Sequence, residues 1–120
     1  MNKKMMRQIQ HKLDGSYAQK IRLSDLAEEY HISTSHLSHS FKLATGYAVM
    51  EYLTARRISA AKELLAQTDM TVTEIVYAVG FADSSNFSRA FKKATGYTPV
   101  SYRSMMGKDS TDIELLELAE

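Results

Sequence analysis

The stretch Phe41-Lys42-Leu43-Ala44-Thr45-Gly46-Tyr47 recurs fifty positions later as Phe91-Lys92-Lys93-Ala94-Thr95-Gly96-Tyr97. Upstream, Leu37-Ser38-His39 aligns with Phe87-Ser88-Arg89. With one residue inserted at a turn, Leu23-Ser24-Asp25-Leu26-Ala27 aligns with Val72-Thr73-Glu74-Ile75-Val76. A unit of about 25 residues therefore appears twice, and an internal repeat governs the fold.

Each copy reads as a short helix, a tight turn and a longer helix. In the second copy Thr71 and Glu74 have the spacing of a capping box. Val72, Ile75, Val76 and Val79 supply the apolar face of the short helix. Gly80 stands where the chain leaves that helix with positive φ. Asp83 can cap the next helix, whose inward positions are Phe87, Ala90, Phe91 and Ala94. The first copy runs parallel, with Leu23, Leu26, Ala27 and Tyr30, then Leu37, Phe41 and Ala44. It is less regular. Arg22 stands where Thr71 caps, and His31 where Gly80 turns, although histidine tolerates the left-handed region better than most residues.

The remaining chain arranges itself around these copies. Met5, Ile9 and Leu13 mark an opening helix that runs to Gly15. Residues 48–66 read as one linker helix with a stripe of Met50, Leu53, Ile58, Ala61, Leu64 and Leu65. Thr98-Pro99 is a cap followed by a first-turn proline, opening a short helix toward Met105. The expected fold is all-α: about seven helices forming two helix-turn-helix subdomains, about 23–45 and 72–95, on a long linker helix. A single domain is expected to span 1–106, and 107–120 reads as an acidic, flexible tail.

Composition narrows the chemistry. The 120 residues include no cysteine, which excludes disulfides, thiolate metal sites and cysteine nucleophiles. The stretch Met1 to Lys12 is polar and partly basic, without the apolar core expected of a signal peptide, and no apolar run is long enough to span a membrane. The net charge of +1 hides an asymmetry: residues 108–120 hold one lysine and five acids, so residues 1–107 carry a net +5. No phosphate loop, nucleophile–base pair or metal set is present, so neither enzymatic activity nor a cofactor is expected. His36 and His39 are three residues apart, but no carboxylate joins them on that face to complete a metal site.

In a helix-turn-helix the second helix enters the major groove of DNA. With the core positions removed, the first copy leaves Thr34, Ser35, His36, Ser38, His39 and Lys42. The second leaves Ser84, Ser85, Asn86, Ser88, Arg89, Lys92 and Lys93. Short hydroxyls and an amide followed by a basic residue suit close approach to base edges and phosphates. Neither helix contains an acid beyond the capping Asp83, whereas an ordinary solvated face mixes signs. The linker, about 19 residues at 1.5 Å each, is roughly 28 Å long. Two reading helices near 34 Å apart would match one turn of B-DNA, so helices 34–44 and 84–94 could read two successive major grooves.

From Arg57 to Arg103 the residues resemble the AraC/XylS-type bacterial transcription regulators. Arg57-Ile58-Ser59-Ala60-Ala61-Lys62-Glu63-Leu64-Leu65 resembles the family's linker helix. Ile75 through Val79-Gly80-Phe81 and Asp83 through Lys93 resemble its second reading unit. Gly96-Tyr97-Thr98-Pro99 and Tyr102-Arg103 resemble its closing signature. The resemblance spans roughly residues 6–105. It implies a seven-helix DNA-binding domain that regulates transcription in the cytoplasm at the nucleoid, usually by activation through RNA polymerase. It implies base contacts from Ser35, Ser38, His39, Ser85, Ser88 and Arg89. Lys42 and Lys92 take phosphate-side roles; Thr34, Arg56, Ser84, Asn86 and Lys93 complete the expected phosphate set. His39 stands where arginine is frequent, and Leu43 in place of a second lysine.

The rival reading is a non-enzymatic protein–protein interaction module with only weak, non-specific DNA affinity, which the low net charge favours. Arg89 has its own alternative, a phosphate clamp or an intramolecular pair. Arg57 falls on the apolar stripe and is expected to be structural. The chain leaves little room for an effector or receiver domain: it reads either as a stand-alone regulator controlled by its abundance or, the favoured alternative, as a piece of a larger sensor or response regulator.

Overall fold

The computed structural model describes residues 3–106. Seven helices and no strand are found among them: α1 (Lys3–Ser16), α2 (Leu23–Glu29), α3 (Thr34–Thr45), α4 (Val49–Gln67), α5 (Val72–Ala78), α6 (Ser84–Thr95) and α7 (Pro99–Met106). The acidic segment 107–120, expected to be a flexible tail, lies outside the described residues. The chain forms two compact units, and the division falls inside α4 between Arg56 and Arg57.

The first unit buries Met6, Ile9, Leu13, Leu26, Ala27, Leu37, Phe41, Val49 and Leu53 in one cluster. The opening helix turns a different methionine inward from the one expected: Met6 is buried and Met5 only half-buried. A strict four-residue spacing drifts around a helix of 3.6 residues per turn, and Met6, Ile9 and Leu13 hold one face better. On α4, Val49, not Met50, joins Leu53 in the core. The edge of Tyr52 meets the Phe41 ring, with centroids 5.6 Å apart.

A polar cluster ties α4 to α1. The Tyr52 hydroxyl donates to Asp14 Oδ1 at 2.6 Å. Arg56 Nε approaches the same oxygen at 3.2 Å as an ion pair, without hydrogen-bond alignment. The Arg56 guanidinium also lies 5.7 Å from the Tyr17 ring centre. Burial and the bond to Asp14 push the Tyr52 hydroxyl above its ordinary pKa.

The second unit buries Ile58, Ala61, Leu65, Ile75, Val76, Val79, Phe87, Phe91 and Pro99. Phe81, Phe87, Phe91 and Tyr102 form a run of ring contacts with centroids 5.2, 5.5 and 5.4 Å apart. The Arg57 guanidinium sits 6.0 Å from the Phe81 ring centre, and burial lowers its pKa. Arg103 reaches the end of α4, donating to Leu65 O at 3.1 Å and Thr68 O at 3.3 Å. It thus satisfies carbonyls that a helix end leaves without an internal partner.

The repeat is reproduced in the backbone. Ile32 N–H donates to Ala27 O, and Phe81 N–H to Val76 O, both at 3.0 Å. Each turn passes through positive φ, 59° at His31 and 103° at Gly80. Thr71 and Glu74 complete the expected capping box, while Arg22 makes no side-chain cap. Hydrogen bonds from Thr71 hold the Glu74 carboxyl below its ordinary range. The recurring Thr-Gly-Tyr also has a common geometry. Thr45 and Thr95 each accept from the tyrosine N–H two residues on at 3.1 Å, around glycines at φ 84° and 82°. Ala44 and Ala94, expected to face inward, are exposed. They lie in the last turn, past the last core aromatic of each helix.

Two stability predictions follow from these contacts. A left-handed conformation costs an L-residue roughly 1–2 kcal/mol, partly offset by the entropy glycine loses on folding. His31→Gly is therefore expected to stabilise the first unit by about 0.5–1 kcal/mol in urea unfolding; a loss would mean that the imidazole itself holds the turn. Arg103→Ala removes two charge-assisted hydrogen bonds and is expected to cost about 2 kcal/mol. Arg103→Lys, which keeps the charge but not the fork, should recover only part of it, and full recovery would rule out this capping role.

Candidate nucleic-acid interface

The geometry of each second helix starts at its cap. Ser33 Oγ accepts from His36 N–H at 3.0 Å and starts α3. Asp83 Oδ1 accepts from Asn86 N–H at 2.8 Å and starts α6. On α3 the inward face is Leu37, Ser40 and Phe41, all buried. On α6 it is Phe87 and Phe91, with Ala90 half-buried. Ser40 occupies the place of Ala90, and its small side chain leaves the inward stripe intact.

The opposite faces follow from helical spacing. Ser35, Ser38, His39 and Lys42 stand at i, i+3, i+4 and i+7 and are all exposed. Ser85, Ser88, Arg89 and Lys92 repeat that register on α6 and are likewise exposed. All six expected base-contact residues thus fall on these two faces, each with one of the expected lysines a turn further on. Thr34 and Ser84 are exposed in the first turns. Lys93 lies on the flank of α6, where α3 has Leu43, an exposed leucine. Arg56 stands apart on α4, half-buried and paired with Asp14. His36 is exposed at the start of α3.

The second unit has one arrangement that sequence spacing did not reveal. Asp83 uses its second oxygen as well, with Oδ2 accepting from Asn86 Nδ2 at 3.0 Å. Asn86 Oδ1 in turn accepts from Arg89 Nη2. A chain of hydrogen bonds therefore runs from the cap to the guanidinium. Asn86, expected to face phosphate, is oriented toward Arg89. The partner of Arg89 is a neutral amide, not a carboxylate. Serine at the equivalent cap of α3 has a single oxygen, and the corresponding positions there are His36 and His39. The signal was present as Asp-x-x-Asn-x-x-Arg, three residues apart twice, which places all three side chains on adjacent turns of one face.

Charge separates the two faces further. The α6 face and its flank hold Arg89, Lys92 and Lys93 with no acid between Ser84 and Thr95. The α3 face holds Lys42 and two histidines. Among the described residues, no group of three or more histidine, aspartate or glutamate side chains could hold a metal ion. No described helix is long and apolar enough to cross a membrane.

Comparison with known proteins places these features in a family. Residues 26–105 match the family described as a helix-turn-helix domain. The chain is 35% identical over 99 residues to the bifunctional transcriptional activator/DNA repair enzyme AdaA of Bacillus subtilis (strain 168), covering 82% of this chain and 47% of that protein. It is 36% identical over 91 residues to the arabinose operon regulatory protein of Escherichia coli (strain K12), covering 76% of this chain and 31% of that protein. The chain thus spans less than half the length of these curated relatives. Among solved structures, the C-terminal domain of AraT, a response regulator from Geobacillus stearothermophilus, superposes with a TM-score of 0.82. That pair is 32% identical, and the match covers 85% of each chain. With its seven helices, its doubled turn and these matches, the chain belongs to the AraC-type family of helix-turn-helix DNA-binding domains of transcription regulators.

Proposed function

We propose that this chain reads a specific DNA sequence with α3 and α6 in two successive major grooves and thereby regulates transcription, as an activator. The observation that carries the reading is the doubled face. The same i, i+3, i+4, i+7 register of hydroxyl and basic side chains is exposed twice, fifty residues apart, with no acid on either face. Ser35, Ser38, His39, Ser85, Ser88 and Arg89 contact bases; Arg89, held by Asn86, is poised for the bidentate contact to guanine. Thr34, Lys42, Ser84, Lys92 and Lys93 contact phosphates. Asn86 and Arg56 contribute less, since each is already engaged, by Asp83 and Asp14 respectively.

The whole regulator, in this reading, acts in the cytoplasm on double-stranded DNA and contacts RNA polymerase. An effector or receiver domain accompanies this chain in the natural protein. The greater length of the matched relatives supports this, as does the response-regulator origin of the AraT domain. The chain has no catalytic activity of its own. AdaA is named as a DNA repair enzyme, but the match covers 47% of it.

Selection from random DNA tests the proposal. The expected product is two half-sites about one helical turn apart; a pool with no enriched sequence would refute specific reading. Arg89→Ala is expected to relax preference at one position by about 1–3 kcal/mol, while Lys92→Ala weakens all sequences alike. Equal losses from both variants would remove Arg89 from the base contacts. Affinity should fall steeply with salt, and a flat response would favour the interaction module instead.

The cap chain generates a separate prediction. Asp83→Ser keeps the cap of α6, so stability should change by less than about 0.5 kcal/mol. It frees Asn86 and with it Arg89, and discrimination at the Arg89 position should fall by about 1 kcal/mol, roughly fivefold. Unchanged discrimination in a normally folded variant would show that Asp83 only caps.

A further inference from the structure

Beside the α6 face lies a groove of about 550 Å3 within the second unit. Val72 at the start of α5 and Pro99 and Val100 at the start of α7 form its apolar side. Arg89, Lys92 and Lys93 of α6 form its basic side. Val100 is 66% exposed, an apolar side chain left in water beside three cations. A ligand suited to this groove combines negative charge with a few aliphatic groups.

The same chain contains such a segment. Residues 108–120 hold one lysine against five acids, and among the acids stand Ile113, Leu115, Leu116 and Leu118. We propose that this segment seats in the α5–α6–α7 groove, with its aliphatic side chains toward Val72 and Val100 and its carboxylates toward Arg89, Lys92 and Lys93. Seated there, it screens three of the DNA-contacting side chains, Arg89, Lys92 and Lys93, and lowers the affinity of the chain for DNA.

The tether allows it. The eight residues of α7 measure about 12 Å, and an extended chain covers about 3.3 Å per residue. About four residues after Met106 are enough to run back along α7 to Val100, which leaves Ile113 onward to fill the groove. Attachment to the same chain makes the local concentration of the segment on the order of millimolar, so weak contacts suffice. DNA and the segment then compete for the same cations, and the affinity for DNA is multiplied by the fraction of chains whose groove is empty. The docking half stands on the groove and the segment alone. The screening half rests on the DNA reading above.

Two measurements on the full chain separate the halves. Because the chain has no cysteine, Ala119→Cys accepts a single nitroxide label. The label is expected to broaden the methyl signals of Val72 and Val100, and the broadening should vanish when Ile113→Ser and Leu116→Ser are added. No broadening, or broadening that survives those substitutions, would overturn docking, the latter because diffuse charge attraction needs no apolar seat. In the second measurement, Asp112→Asn, Glu114→Gln and Glu117→Gln are combined in the unlabelled chain. At low salt this variant is expected to bind duplex DNA about fivefold tighter. Its log–log salt dependence should steepen by about 2, because wild-type DNA binding only exchanges segment contacts for phosphate contacts at Lys92 and Lys93. Unchanged affinity in a variant that has lost the broadening would overturn screening and leave docking in place. Should neither form bind DNA, the DNA reading and the screening half fall together, and the label result still decides docking.

Discussion

One backbone constraint fixes both reading helices: between the short and the long helix of each unit the chain must pass through positive φ. At Gly80 this costs no steric clash; at His31 it is held against one. The reward is the same on both sides, a hydrogen bond back into the short helix from Ile32 to Ala27 and from Phe81 to Val76. That bond closes the turn and sets the direction in which α3 and α6 leave it. The inward faces, the exposed faces and the caps all follow from that direction. Where the turn residue is not glycine, the surrounding core has to impose the geometry, and the first unit supplies nine clustered apolar residues around it.

The two units then secure their share of α4 by different chemistry. In the first, Asp14 gathers Tyr52 and Arg56, so a carboxylate on α1 anchors two consecutive turns of α4. In the second, Arg103 reaches the carbonyls of Leu65 and Thr68 at the end of α4, and the aromatic run from Phe81 to Tyr102 fills the space behind α6. Polar contacts of this kind add modestly to stability but fix geometry, since each has a single low-energy arrangement. The division of duties also explains the two arginines in the middle of α4. Arg56 serves the first unit through Asp14 and Tyr17, and Arg57 the second through Phe81.

Much of this was legible in the sequence because it depends on local periodicity. The repeat, the capping box at Thr71, the positive φ at Gly80 and His31, and the cap at Asp83 are all decided by residues within a few positions of one another. The exposed faces of α3 and α6 followed by subtraction, once Leu37, Phe41, Phe87 and Phe91 were placed inside. The choices that failed lie at margins. Met5 against Met6 and Met50 against Val49 are one step apart around a helix, and only packing partners distinguish them. Ala44 and Ala94 share the inward register but lie past the last core aromatic, which a count of spacings does not register. The long-range anchors, Asp14 with Tyr52 and Arg103 with Leu65, join residues 38 positions apart. No pattern in one segment specifies them. The cap chain through Asn86 was local and could have been found, but three polar residues in a row of turns also describe an ordinary solvated face.

The two units share a backbone plan and differ in what they present. One face offers two histidines and a lysine behind a serine cap; the other offers an arginine pinned to an aspartate cap and two lysines. A symmetric dimer of identical heads cannot distinguish the two ends of its palindromic site. A single chain with unlike heads can. On the proposed reading, joint engagement of α3 and α6 gives the duplex a left and a right.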